Sequence, residues 1–171
     1  MLNFLFPKVC GGCRTPLLKQ EWVICTQCRN NLPIACYHRT GNDAMKKAFY
    51  GRIDLQNATA LLQFQKKGIT QELLHNLKYR GQDNISSFLG KWLGAELSEE
   101  IKFQDIDMVI PVPLHKQKLK KRGYNQVSGF GESIAAALKV PFREDILLKV
   151  SKTRSQVFKK RGTRFDGSEI L

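Results

Sequence analysis

The sequence predicts an α/β protein in which a small cysteine-rich module precedes a larger domain with a mainly parallel sheet. Two Cys-x-x-Cys units lie near the start and are typical of a metal-binding module. Strand-like apolar runs then alternate with amphipathic helical segments, as in α/β domains. The run over 106–113 is almost continuously apolar, which favours a strand buried on both faces of a parallel sheet. We place the module in residues 1–40, a connector in 41–54 and the larger domain in 55–171.

Composition points to a protein with anionic partners. The chain has 171 residues, with 28 Lys and Arg against 15 Asp and Glu, and a net charge of +13. Such an excess attracts the phosphates of nucleotides, nucleic acids or anionic lipids. No stretch of about eighteen apolar residues occurs, and Pro7 interrupts the short apolar start. We therefore expect no membrane-spanning segment and no secretory signal. The prediction is a cytoplasmic protein, whose cysteines more often bind metal than form disulfides.

The two cysteine units, CGGC and CTQC, predict a structural metal site. Two residues between ligands allow a tight turn to direct both sulfurs at one ion, and two such turns complete a tetrahedron. Zinc is the expected metal, although iron also fits four thiolates, and two ordinary thiol pairs are the alternative. Cys36 and His38 could each replace a ligand, but two complete pairs leave no vacancy, so we expect Cys36 to be a small buried side chain. The predicted ligands are Cys10, Cys13, Cys25 and Cys28.

Between the module and residue 105, the sequence predicts one strand and two helices. The apolar run over 58–65 predicts a short strand. A helix is expected to begin near Thr70, as its cap, and to stop at Gly81. Residues 87–101 carry an apolar stripe at helical spacing, which predicts a core helix. The stripe consists of Phe88, Leu89, Trp92, Leu93 and Leu97.

After residue 105 the predicted elements are a central strand, a helix and a second strand. The central strand is the apolar run over 106–113. Asn125 is the expected cap of the helix, because its side chain can accept a hydrogen bond from a backbone N–H of the first turn. Residues 140–150 return to an apolar run and predict the second strand. The apolar face of the helix carries Val127, Phe130, Ile134 and Leu138.

A basic segment follows the predicted central strand. Five of the seven residues over 116–122 are basic. We predict a loop over 113–124, at the sheet edge where open α/β folds place their ligands. Arg122 and the lysines, with backbone N–H groups of the next helix, would form a phosphate cradle, and Gly123 would permit the turn. A solvated loop that binds nucleic acid by charge alone is an equal alternative. His115 is expected to be an ordinary loop residue, because no nucleophile or paired carboxylate adjoins it.

Four strings together carry a family resemblance. The paired Cys-x-x-Cys units, LKYRG at 77–81, PVPLHKQKLKKRGYNQ at 111–126 and KTRSQ at 152–156 resemble the ComF family of phosphoribosyltransferase-like proteins. The resemblance implies a type I phosphoribosyltransferase fold, which binds 5-phosphoribosyl 1-diphosphate with magnesium. It also implies that the loop after the first core strand contacts the pyrophosphate. The pyrophosphate-loop candidates are Leu114, His115, Lys116, Lys118, Arg122 and Gly123.

The chain departs from the family pattern in one respect. The family's phosphoribosyl-binding loop has two acidic residues followed by a Thr-Thr-Gly turn, and neither Asp-Asp nor Thr-Thr-Gly occurs in these residues. We therefore expect a transferase-like domain that is incomplete and inactive as given. Magnesium and phosphoribosyl diphosphate are expected as ligands only if a longer form is an active transferase.

The resemblance further implies a role in DNA uptake during natural transformation, with single-stranded DNA and a helicase-like competence protein as partners. The alternatives are a phosphoribosyltransferase enzyme and a non-catalytic scaffold. Residues 149–164 hold seven basic residues and no acidic one, and Phe158 and Phe165 offer stacking surfaces. A solvated end is an equal interpretation of that segment. The nucleic-acid candidates are Lys120, Lys121, Lys152, Arg154, Lys159, Lys160, Arg161 and Arg164.

Overall fold

A computed structural model describes residues 7–40 and 44–150. These residues form seven α-helices, one 3-10 helix and three isolated β-bridges. The α-helices are α1 (Thr26–Asn30), α2 (Tyr37–Thr40), α3 (Ala44–Phe49), α4 (Ile69–Tyr79), α5 (Asn84–Ser98), α6 (Lys116–Arg122) and α7 (Ser128–Leu138). The 3-10 helix, Ile101–Phe103, follows α5. Within the described ranges, every helix is too short or too polar to cross a lipid bilayer.

The predicted α/β class with a mainly parallel sheet is wrong, because the described part of the chain is helical and contains no sheet. The two runs predicted as parallel strands meet in a single bridge between Val109 and Phe142. Val109 donates to Pro141 O and accepts from Arg143 N, each at 3.0 Å. Prolines follow two and four residues after Val109 and have no N–H to continue a ladder. The apolar run is therefore not a strand buried on both faces, and Val112 within it is 75% exposed.

The predicted strand over 58–65 is likewise reduced to a bridge. Leu62 pairs with Ile34 in the antiparallel sense. Ala35 N donates to Leu61 O at 2.9 Å, and Gln63 N donates to Pro33 O at 2.8 Å. These contacts attach the run to the cysteine module, because Leu61 is buried in the same apolar cluster as the module.

The three predicted amphipathic helices are confirmed as α4, α5 and α7, although their first and last residues differ from the predicted ones. Helix α4 begins at Ile69 after the N-cap residue Gly68, so Thr70 lies buried inside the helix and does not cap it. Gly81 follows the end of α4 with φ of +66°, as the stop signal predicted. Asn125 accepts a hydrogen bond from Val127 N at 3.4 Å. It is not the cap of α7, however, because α7 begins at Ser128 and its N-cap residue is Val127.

One apolar cluster links the module to the central helices. Its module side includes Cys10, Ile24 and Leu32, and its helical side includes Leu73 and Ile85. Within it, the Asn76 side chain of α4 donates to the Gly11 carbonyl at 2.7 Å. The predicted boundaries at residues 40 and 54 stay a prediction, but the core is continuous across both.

Helices α5 and α7 pack closely because α5 presents glycines to its partner. A Cβ built on Gly90 would lie 2.4 Å from Phe130 O, and one built on Gly94 would lie 2.9 Å from Ala137 Cβ. Ser86 completes the contact, since its hydroxyl donates to Gln126 O at 2.7 Å and accepts from Phe130 N at 2.9 Å. This pair of helices fixes the position of the segment that precedes α7, which includes α6.

Candidate metal centre and basic helix

The four predicted ligands converge at one point. Their sulfur atoms all lie within 4.8 Å of one another. A zinc tetrahedron with Zn–S bonds of about 2.3 Å has sulfur–sulfur edges of about 3.8 Å, and the Sγ atoms of Cys13 and Cys25 are 3.6 Å apart. Three of the cysteines are buried and Cys13 is exposed. The sequence therefore identified a cluster that could bind a metal such as zinc.

Local backbone geometry holds each cysteine pair. In the first unit, Arg14 adopts φ of +65° and its N–H donates to Cys10 O at 2.9 Å, which closes the turn between the two ligands. In the second, Cys25 is the N-cap of α1 and its sulfur accepts from Cys28 N at 3.4 Å. Cys10 Sγ accepts from Cys25 N at 3.2 Å, which joins the two units. These N–H groups would also stabilise metal-bound thiolates.

The sulfurs differ in how readily they ionise. The Thr15 hydroxyl, 2.9 Å from Cys13 Sγ, together with the Thr15 backbone lowers the pKa of Cys13 to about 6. Burial, with hydrogen bonds to the neighbouring thiols, raises the pKa of Cys28 well above its usual value. A divalent cation between the sulfurs would offset this cost, because metal binding requires and favours the thiolate form. Four protein ligands leave no open coordination position, so a metal here would be structural.

Cys36 and His38 lie outside the cluster, as the two complete pairs predicted. Burial raises the pKa of the Cys36 thiol, which is half-buried. The His38 side chain is fully buried and its Nδ1 lies 2.9 Å from Thr59 Oγ1. Its Nε2 lies 3.0 Å from Glu96 Oε2, without the alignment of a hydrogen bond, so that contact is electrostatic.

Sequence reasoning missed the role of His38. Glu96, on α5, accepts a hydrogen bond from Trp92 Nε1 at 2.9 Å and faces His38 with its second oxygen. The pair is separated by 58 positions in the chain, and no motif connects them. The Arg29 guanidinium also lies over the ring of Trp92, 5.4 Å from the ring centroid. These three contacts join α2 and α1 of the module to α5.

The segment predicted as a loop over 113–124 contains helix α6. His115 is its N-cap and accepts from Gln117 N through Nδ1 at 3.2 Å. Gly123 ends it with φ of +86°, a conformation that other residues adopt at a cost. His115 therefore has a structural role, in keeping with the absence of catalytic neighbours.

Arg122 is engaged within the protein. Its Nη1 donates to Gln126 Oε1, and its guanidinium lies 5.9 Å from the centroid of the Tyr79 ring. Tyr124, two residues later, donates its hydroxyl to Leu77 O. These contacts tie the end of α6 to α4. A contact of Arg122 with a phosphate stays a prediction.

One groove, which we call the α6 groove, brings together four of the six pyrophosphate-loop candidates. Leu114, His115, Lys116 and Gly123 line it, whereas Lys118 and Arg122 do not. Its volume is about 690 Å³. Aliphatic groups form much of the remaining wall: Pro111, Pro113, Leu119, Leu147, Leu148 and Val150. A pyrophosphate ligand for these residues stays a prediction.

The nucleic-acid candidates divide into two groups. Lys120 and Lys121 are exposed on α6. The others lie outside the described residues: Lys152, Arg154, Lys159, Lys160, Arg161 and Arg164.

Comparison with family models, curated proteins and solved structures finds no match to this chain. Membership of the ComF family therefore rests on the quoted strings and stays a prediction. The structure contributes the four-cysteine cluster and the basic helix, both of which fall within those strings.

Proposed function

We propose that the chain is a ComF-type protein of DNA uptake, in which zinc holds the cysteine module and α6 binds single-stranded DNA. One observation carries the DNA part: α6 has five basic residues among seven and no acidic one. Lys118, Lys120 and Lys121 are exposed on it, and the whole chain has a net charge of +13. Clustered cations on one element are the usual electrostatic footprint of a nucleic-acid surface.

Zinc is the proposed metal because the site offers four thiolates and no open position. Zinc has no redox chemistry and is the usual metal of closed four-cysteine sites. The 3.6 Å separation of Cys13 and Cys25 supports the tetrahedral spacing. The role of the ion would be to hold the module against α4 and α5, since Cys10 and Cys28 belong to the shared apolar cluster.

Anisotropy of a labelled oligothymidylate of about 20 nucleotides tests the DNA part. The chain should bind at low salt and weaken as salt rises, because phosphate contacts release counterions. The double variant Lys120→Glu/Lys121→Glu should bind more weakly, with a salt slope smaller by roughly 0.7 for each phosphate that is no longer neutralised. Lys66→Glu/Lys102→Glu, two exposed charge reversals outside α6 with the same change in net charge, is the matched control. Absence of binding at low salt, or binding that ignores salt, would exclude the DNA part.

Magnesium-dependent phosphoribosyl transfer is the second candidate, and the α6 groove favours it. Lys116 and the backbone around Gly123 line that groove, where a diphosphate could be held. Calorimetry with 5-phosphoribosyl 1-diphosphate and magnesium should then show binding that Lys116→Ala weakens. A longer form that carries the Asp-Asp and Thr-Thr-Gly loop and gives no heat with this ligand, yet binds oligothymidylate, would remove the transferase candidate and leave the DNA part standing.

A further inference from the structure

The α6 groove exposes a continuous aliphatic surface. Leu119 is 41% exposed, Leu147 is 49% exposed and Leu148 is 76% exposed, and all three line the groove. Val150, at one end, is 88% exposed. These side chains offer a small apolar contact surface for a ligand.

Positive charge borders this aliphatic surface. Lys116 and Lys149 line the groove. Among the described residues that line the groove, Glu144 is the one acid, and it accepts a hydrogen bond from the Ser128 hydroxyl. An occupant with carboxylates at its edge and apolar groups at its centre would complement both features.

We propose that the α6 groove binds an acidic segment of a partner protein, which inserts aliphatic or aromatic side chains between α6 and residues 147–150. Carboxylates of the segment pair with Lys116 and Lys149. Its apolar side chains cover Leu119, Leu147 and Leu148. This inference goes beyond the proposed DNA and metal functions and does not depend on either.

The chemistry of the groove favours a peptide over a nucleic acid. Bases bind single-strand sites by stacking on exposed aromatic faces, and His115 and Tyr124 are the aromatic side chains among the described residues that line the groove. Both are half-buried, and the Tyr124 hydroxyl is held by Leu77 O. Leucine and valine offer no stacking surface for bases.

Different faces of α6 carry the residues that line the groove and the lysines that lie outside it. Lys116 and Leu119 are three positions apart and line the groove together. Lys118 and Lys121, also three positions apart, do not line it. A second copy of this chain is disfavoured as the occupant, because its own groove carries the same positive charge and like charges repel.

The test uses a fluorescein-labelled peptide of about a dozen residues in which Asp and Glu flank Leu and Phe. One matched peptide has Ser in place of Leu and Phe, and another has Gln and Asn in place of the acids. The full chain should bind the first peptide about tenfold more tightly than either matched peptide, measured by anisotropy. Equal binding of the Ser peptide would overturn the proposal, because it would show that charge alone is recognised.

Variants of the chain locate the binding. Leu148→Ser and Lys149→Glu should each weaken the acidic peptide about tenfold, whereas Lys121→Glu on the other face should leave it unchanged. Leu148 is mostly exposed, so a melting curve should show an intact fold. Unchanged peptide binding in Leu148→Ser overturns the proposal. So does loss of oligothymidylate binding in that variant, which would assign the groove to nucleic acid, or loss of a dimer in light scattering, which would assign it to a second copy.

Discussion

At the level of single residues, the contact between His38 and Glu96 connects parts of the chain that the sequence treats as separate. His38 belongs to the short helix that ends the module, and Glu96 belongs to α5. The imidazole is fully buried and its two nitrogens face Thr59 and Glu96. A buried polar group that loses its partner is costly, because the remaining group is then neither paired nor solvated.

We therefore expect His38→Ala to lower the free energy of unfolding by about 3 kcal/mol, because it empties a buried site and leaves Thr59 Oγ1 and Glu96 Oε2 without the polar group that faces them. Urea denaturation of the full chain measures the change. The control is Arg39→Ala, which removes an exposed pair with Glu99 at 3.7 Å and should cost less than about 1 kcal/mol.

A double-mutant cycle decides whether the effect belongs to the pair. The variant His38→Ala/Glu96→Ala should lose less stability than the sum of the two single variants, because it removes both members of the contact together. Strictly additive losses would show that His38 stabilises the chain only by packing.

At the level of secondary-structure elements, the close contact between α5 and α7 depends on glycines in α5, which have no side chain. Gly90 lies against the backbone of Phe130 and Gly94 lies against Ala137. Glycine disfavours a helix, so its presence twice in α5 is explained by the close approach of α7 and not by helix propensity. The sequence showed the apolar stripe of α5 but not which face would meet a second helix at this distance.

Gly90→Ala should destabilise the chain although alanine is the better helix former. The added Cβ would lie 2.4 Å from Phe130 O, so the helices must move apart, which typically costs about 1–3 kcal/mol. Helix propensity alone would predict a gain of about 1 kcal/mol. Thermal or urea unfolding measures whether the substitution lowers or raises the free energy of unfolding.

The exposed residue Ala95 in the same helix provides the matched control. Ala95→Gly should cost about 1 kcal/mol from propensity alone, without any steric conflict. If Gly90→Ala stabilised the chain by the amount that Ala95→Gly destabilised it, the close packing of α5 and α7 would be contradicted.

At the level of the whole molecule, the cysteine cluster and the helices share one core. Cys10 and Cys28 are packed in the same cluster as Leu73 of α4 and Leu89 of α5. Metal binding should therefore stabilise the helices as well as the module, because an ion that binds only the folded state shifts the folding equilibrium of everything coupled to it.

Removing the metal with a chelator should lower the melting temperature of the helical part, followed by far-UV circular dichroism. Lowering the pH should have the same effect, because protons compete with the metal for the four thiolates. Cys28→Ser should reproduce the loss, and Cys36→Ser, outside the cluster, should keep both metal and melting temperature. An unchanged melting temperature after complete chelation would show that the module and the helices are not coupled.

Features that depend on spacing along the chain could be predicted from the amino-acid sequence. Two residues between cysteines are enough to place two sulfurs on one side of a turn, so the cluster of Cys10, Cys13, Cys25 and Cys28 was predictable. Apolar residues at helical spacing likewise predicted α4, α5 and α7. Both signals are local, since the residues concerned are held together by the same short stretch of backbone.

Tertiary structure decided what depends on residues distant in the chain. An apolar run can be a buried strand only if other strands flank it, and the run over 106–113 has a single bridge. Tyr79 of α4 lies beside Arg122, and Glu96 of α5 lies beside His38, although they are 43 and 58 positions away along the chain. Hydrogen bonds, ion pairs and close packing act over a few ångströms in space, and a single sequence does not record which distant residues share that space.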